Sequence, residues 1–367
     1  MNTVCYLSFE FKGYVQGLFP SYKTLVQKKY EEKLYKVYPN WDQKDIDQLL
    51  FETWNRTFAY ESIAQLQEKP FSGKFVNVDE NGFRVGKDQG PWPPDQKNFN
   101  LFFFGGSTTF GYGLPDFETI PSFLQEELRS KLAKEVRVYN FGRGHHFSSH
   151  ELFLFFKLIW KGFNPDMVIF LDGLNDFHYA DEKDLLWTKY LKKRHEDFEN
   201  VNLGWTFGKM MENTSAMRMA RWVRAHIPLL DSEKPVEPSE NERKLIQHAL
   251  NRYVTNMKII SKLSKAHDIP AFFVWQPVPS FKYNPKYNPF AGELPGLHRL
   301  SGPGYPEMEK RFQRGDFKNY RFIWAGDFQE GMTKPLYVDQ VHYNAELSRM
   351  LASHISDNIL RYLNGLS

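Results

Sequence analysis

Hydrophobic and polar positions divide the chain into two unlike parts. Up to about residue 95, KTLVQKKYEEKLYKVY and DQKDIDQLLFETWNRTFAY place apolar residues at three- and four-residue spacing, which predicts two helices. FVNVDENGFRV then reads as two short extended pieces about an Asn-Gly turn, and PWPPDQKN as a Pro-rich junction. From residue 101 the pattern changes. LFFF (101–104), VRVYNFG (136–142), DMVIFLDG (166–173), IPAFFVWQP (269–277) and RFIWAGDF (321–328) are short apolar runs. Between and after them lie amphipathic stretches, IPSFLQEELRSKLA, SHELFLFFKLIWKG, ERKLIQHALNRYVTNMKIISKLSKAH and NAELSRMLASHISDNILRYL. Apolar strands alternating with helices predict an α/β fold, a mostly parallel five-stranded sheet covered on both faces.

The expected organisation is a mainly helical N-terminal extension over 1–97 and an α/β domain over 98–367. Two insertions interrupt the latter, at about 177–240 and 277–320. Long loops beyond strand ends are where α/β enzymes place substrate contacts, although such loops equally serve packing.

Composition narrows the function classes. Hydrophobic residues make up 41% of 367, enough for a sizeable core, and charged residues 25%. A formal net charge of +3 gives no reason to expect a nucleic-acid partner. Cys5 is the single cysteine, so no intrachain disulfide can form. The opening MNTVCYLSFEFKGY lacks a basic n-region, and no stretch reaches the ~18–20 apolar residues of a membrane helix. A cytoplasmic protein is the expectation, an exported or periplasmic one if a leader has been removed. The sequence does not fix the oligomeric state.

Three segments carry candidate chemistry. In LFFFGGSTTFGYG an apolar strand ends in two glycines and then Ser107. The glycines permit a tight turn with close backbone approach. A hydroxyl there stands at the rim of the sheet beside N–H groups able to bind developing negative charge. The turn is neither a G-x-S-x-G elbow nor a phosphate loop. Asn175 follows the third strand in FLDGLNDFH, where its amide could donate to an oxyanion; taken alone it reads as a turn residue. Near the C-terminus, YVDQVHYN sets Asp339 three residues before His342. A serine hydroxyl needs such a base, and a carboxylate can orient the imidazole. An Asp–His metal fragment is the alternative, with His145, His146, His150 and His178 nearby in sequence. No H-E-x-x-H or cysteine cluster accompanies them, so neither a metal nor a cofactor is expected.

Together these segments resemble the SGNH hydrolases, also called GDSL-like esterases and lipases. GGSTTFG resembles the nucleophile block, with GGS in place of the common GDS. YNFGRGHHFSSHE resembles the second block, DGLND the third and VDQVHYN the fourth, over about residues 98–360. The resemblance implies a flavodoxin-like three-layer α/β/α sandwich and a serine ester hydrolase. Ser107 would be nucleophile, His342 general base and Asp339 its orienter. The oxyanion donors would be the Ser107 N–H, the Asn175 amide and a second-block glycine N–H. Counting from Asn140, that glycine position falls on His145, with Gly144 just before it; Gly144 is the expected donor. The VNVDENGFR segment resembles an N-terminal extension of some bacterial members, some of them associated with surface polysaccharides. A carbohydrate O-acetyl ester is therefore the expected substrate, and the 17% aromatic content would suit sugar stacking. O-acyltransferase, lipase or phospholipase, and noncatalytic carbohydrate binding on the same fold are the alternatives. MRMARWVRAHI (217–227) is basic and partly amphipathic; it could touch an anionic surface, a solvated packed helix being the plainer account.

Overall fold

The computed structural model describes residues 28–181, 237–292, 294 and 296–365, the side chains of 28–32 excepted. The N-terminal region opens with α1 (Lys28–Val37) and α2 (Gln43–Trp54), the latter capped by Asp42, whose side chain accepts from the Asp45 N–H. Two antiparallel pairs follow: β1 (Phe58–Glu61) with β2 (Gln65–Glu68), and β3 (Phe71–Ser72) with β4 (Asn77–Val78). The helical reading of TFAY is thus corrected. The helix stops at Trp54 with Asn55 as its cap, and Phe58 onward pairs with residues 65–68. Buried Glu52 ties α2 to the next loop, its carboxylate accepting the N–H groups of Lys74, Phe75 and Val76 at 2.8–2.9 Å.

The sheet is built from β5 (Phe99–Gly105), β6 (Val136–Gly142), β7 (Met167–Asp172), β8 (Ala271–Trp275) and β9 (Arg321–Trp324). All are parallel, in the spatial order β6-β5-β7-β8-β9. Between them run α3 (Ser107–Phe110), α4 (Ile120–Lys131), α5 (Ser148–Trp160), α6 (Leu174–His178), α7 (Glu240–Ala266) and α8 (Ser301–Gln313). The last helix, α9 (Ala345–Leu363), follows β9. This is the expected α/β fold with a five-stranded parallel sheet flanked by helices.

Strand alternation makes the three layers. Phe102, Phe104, Val168, Phe170, Ala271 and Phe273 face one side, where residues of α5, α7 and α8 such as Phe155, Leu250 and Met308 complete a core. Leu101, Phe103, Ile169, Phe272 and Val274 face the other, against Leu124 and Leu128 of α4 and Leu351 and Ile355 of α9. With both faces covered, the strands read as nearly continuous apolar runs rather than as alternation. A third core joins Leu34, Ile46, Leu49 and Val76 of the N-terminal region to Phe110, Tyr112 and Val338 of the sheet-edge loops. The parallel arrangement delivers the loops after β5, β6 and β7 to one rim. Most of the first insertion, and the whole of MRMARWVRAHI, lies outside the described residues. No described helix is long and apolar enough to cross a membrane.

Candidate active site

Ser107 is the first residue of α3, directly after β5. Its helix therefore starts at the serine itself, ahead of the helix near Pro121 read from the sequence. Both glycines before it are required by close approach. A Cβ on Gly105 would lie 2.0 Å from Thr109 Oγ1, and one on Gly106 2.5 Å from Asn175 Nδ2. N–H groups in the first turn of a helix have no intrahelical acceptor, so the Ser107 N–H lies where a developing anion can use it.

Asp339 and His342 occupy a tight loop closed by the Val338 N–H to His342 carbonyl bond, 2.9 Å, just before α9. Asp339 Oδ1 accepts the N–H groups of Val341 and His342, both at 2.8 Å, and Oδ2 lies 2.7 Å from His342 Nδ1. The opposite ring nitrogen, Nε2, lies 2.8 Å from Ser107 Oγ. Burial alone would raise the Asp339 carboxyl, but the adjoining imidazole and these hydrogen bonds hold it below the usual aspartate range. His342 is 6% exposed and its ring is enclosed by two aromatics. Tyr112 stacks on it at 5.3 Å and 19°, and Trp54 meets it at 5.5 Å and 70°.

Asn175 stands in α6, after Gly173, whose φ of +135° is a left-handed backbone that suits glycine. Its Nδ2 donates to the His146 carbonyl at 2.7 Å and lies against Gly106. Its Oδ1 is 3.2 Å from His298 Nε2, which fixes the orientation of the amide. An amide nitrogen carries two hydrogens, so one remains for a ligand beside Ser107. Gly144 differs from expectation: its N–H donates to Glu68 Oε1 at 3.0 Å, engaged by a carboxylate of the N-terminal hairpin. The next residue, His145, takes a φ of +64°, the conformation a glycine would favour at that position.

The histidines of the second block are packed rather than clustered for ligation. Burial pushes His145 and His150 down to about 3, with Arg252 and Arg143 adding to the effect at His150, so both are neutral at neutral pH. Among the described residues, no group of three or more His, Cys, Asp or Glu side chains is placed to hold a metal ion. Trp54, Glu68, Tyr112 and His298 were not singled out by sequence. Tyr112 lies within the Ser107 segment itself, the others lie outside the segments that carry candidate chemistry, and each acquires its place only by tertiary contact.

No family model matches the chain, and no curated protein matches it. Solved structures do resemble it in fold. A G-D-S-L family lipolytic protein from Desulfitobacterium hafniense DCB-2 is 12% identical with a TM-score of 0.37, over 71% of this chain and 99% of that one. A carbohydrate acetylesterase family member from Sinorhizobium meliloti is 17% identical with a TM-score of 0.35, over 73% and 99%. An acetyl xylan esterase is 15% identical with a TM-score of 0.38, over 71% and 99%. The chain's structural neighbours are SGNH/GDSL lipolytic proteins and acetylesterases, at low sequence identity.

Proposed function

We propose that the chain is a serine ester hydrolase. The observation that carries this reading is the continuous line of contacts from Asp339 through His342 to Ser107 Oγ, at 2.7 and 2.8 Å. His342 takes the Ser107 proton as Oγ attacks an ester carbonyl, and ionised Asp339 stabilises the imidazolium that forms. The Ser107 N–H and the Asn175 amide receive the oxyanion. Collapse of the tetrahedral intermediate expels the alcohol, which takes its proton from His342. Water, deprotonated by the same imidazole, then releases the acid from Ser107. No step needs a metal or cofactor.

The substrate class we infer is a carbohydrate O-acetyl ester. Trp54, half-buried beside His342, is the kind of aromatic side chain that stacks on sugar rings. The test is acetate release from a panel of acetylated sugars beside short-chain aryl esters, for the wild type and Ser107→Ala. The substitution removes one hydroxyl on a turn and should leave stability nearly unchanged. Turnover should fall ~10³-fold or more. A folded Ser107→Ala protein with wild-type turnover would end the hydrolase reading. Aryl-ester cleavage without acetate release from any sugar would end only the carbohydrate part.

A further inference from the structure

Glu68, the last residue of β2, lies 1% exposed although it belongs to the region before the sheet. Its Oε1 accepts both the Tyr112 hydroxyl and the Gly144 N–H, each at 3.0 Å. Its Oε2 faces the Arg56 guanidinium at 3.3 Å. Arg56 in turn lies 4.4 Å over the Phe110 ring and donates to the Glu52 carbonyl. A carboxylate is costly to bury unless paired and hydrogen-bonded, and these partners offset that cost. One side chain therefore joins three separate pieces: the hairpin, the loop that carries Ser107, and the loop after β6.

Tyr112 is the consequential partner. Its N–H bonds the Ser107 carbonyl at 3.1 Å, and its ring lies flat on His342. During the proposed reaction the bond from His342 to Ser107 breaks as the proton moves, leaving Asp339 as the one polar restraint on the ring. A fixed aromatic face keeps the imidazole in plane at that moment. That face is fixed only if the phenol is tethered, and Glu68 is the tether.

The geometry points to Glu68 as a positioning residue of the active centre, holding Tyr112 against His342 so that residues before the sheet complete the site. This rests on the serine-hydrolase reading. The test uses the full chain, p-nitrophenyl acetate turnover and the rate at which a fluorophosphonate labels Ser107. Tyr112→Phe keeps the ring and removes the tether. It should lower kcat and the labelling rate about tenfold, with KM within about twofold. Glu68→Gln keeps a carbonyl acceptor for both donors and should stay within about threefold of wild type, whereas Glu68→Ala should fall at least as far as Tyr112→Phe. A role in stability alone would lower the melting temperature without this kcat-specific loss or its rescue by glutamine. Should Glu68→Ala fail to fold, Tyr112→Phe decides. Wild-type kcat and labelling rate in Tyr112→Phe would overturn the inference while leaving the hydrolase reading intact. Absence of label on wild-type Ser107 would overturn both.

Discussion

Asp339 spends both oxygens on its own loop, one on backbone N–H groups and one on the imidazole. Its carboxyl is held low against the pull of burial, so it stays ionised below the ordinary aspartate range. The stability it contributes is present above the unfolded pKa of about 3.9 and is lost as pH falls through the lower folded value. Asp339→Asn should cost kcat roughly 10³–10⁴-fold, because an amide can hold the imidazole in the wrong tautomer. Steady-state kinetics at pH 7–8 would check it; a loss below tenfold would show that another group orients His342. Asn175→Ala should cost roughly 10²–10³-fold, removing one proposed oxyanion donor and leaving the proposed nucleophile. At this scale the sequence is informative where chemistry is local. Gly-Gly-Ser after an apolar run and Asp-x-x-His before a helix are contiguous signals, and the fold brings Ser107, His342 and Asp339 into contact. Glu68 and Tyr112 sit 44 positions apart, and no spacing rule links them.

Elements expose a different vulnerability, three carboxyls buried together where α5, β7 and α6 meet. Burial pushes Glu151, Asp172 and Asp176 upward, and the negative charges of its neighbours push Glu151 further. Groups raised in the folded state favour folding below the ordinary carboxylate range. That contribution is lost as pH rises toward their folded values, because the unfolded chain releases those protons first. Glu151→Gln should therefore raise the melting temperature at pH 7–8 by roughly 2–4 °C and change little at pH 4. Thermal unfolding of both proteins across that range would show it, and equal shifts at the two pH values would exclude the mechanism. At the start of α9, Asn344 Oδ1 accepts the Leu347 N–H, and its Nδ2 bonds the Pro335 carbonyl. Asn344→Ala should cost about 1–2 kcal/mol in urea unfolding. The strands and long helices were legible because each is an uninterrupted apolar or periodic run. The pairing of residues 58–61 with 65–68 was not, since Phe58 follows Trp54 at a four-residue, helix-like interval although the helix has already ended at Asn55.

Across the whole molecule, the N-terminal region and the sheet are joined by Arg84 as firmly as by the third core. Its guanidinium is 1% exposed and donates to the carbonyls of Phe110, Gly111 and Leu114 and to Asp116 Oδ1. The segment after Ser107 is thus clamped from outside the sheet. Arg84→Met keeps much of the volume but removes the cationic partner of Asp116, which retains only the Asn77 donors, and one donor to each of three carbonyls; it should cost about 3–5 kcal/mol. A loss below 1 kcal/mol by denaturant unfolding would show that water replaces the guanidinium. The expected division into an extension and an α/β domain could be read from the change in pattern near residue 95. The shared packing of the two could not, because apolar residues do not announce their partners. The contact between His342 and Ser107 spans 235 positions, and Tyr38 reaches the Gly113 carbonyl across 75. Closing such long loops comes late in folding, after local helices have formed. During synthesis Ser107 leaves the ribosome far ahead of the imidazole that would activate it, so a nascent chain carries an inert hydroxyl, and reactivity appears only with completion of the fold.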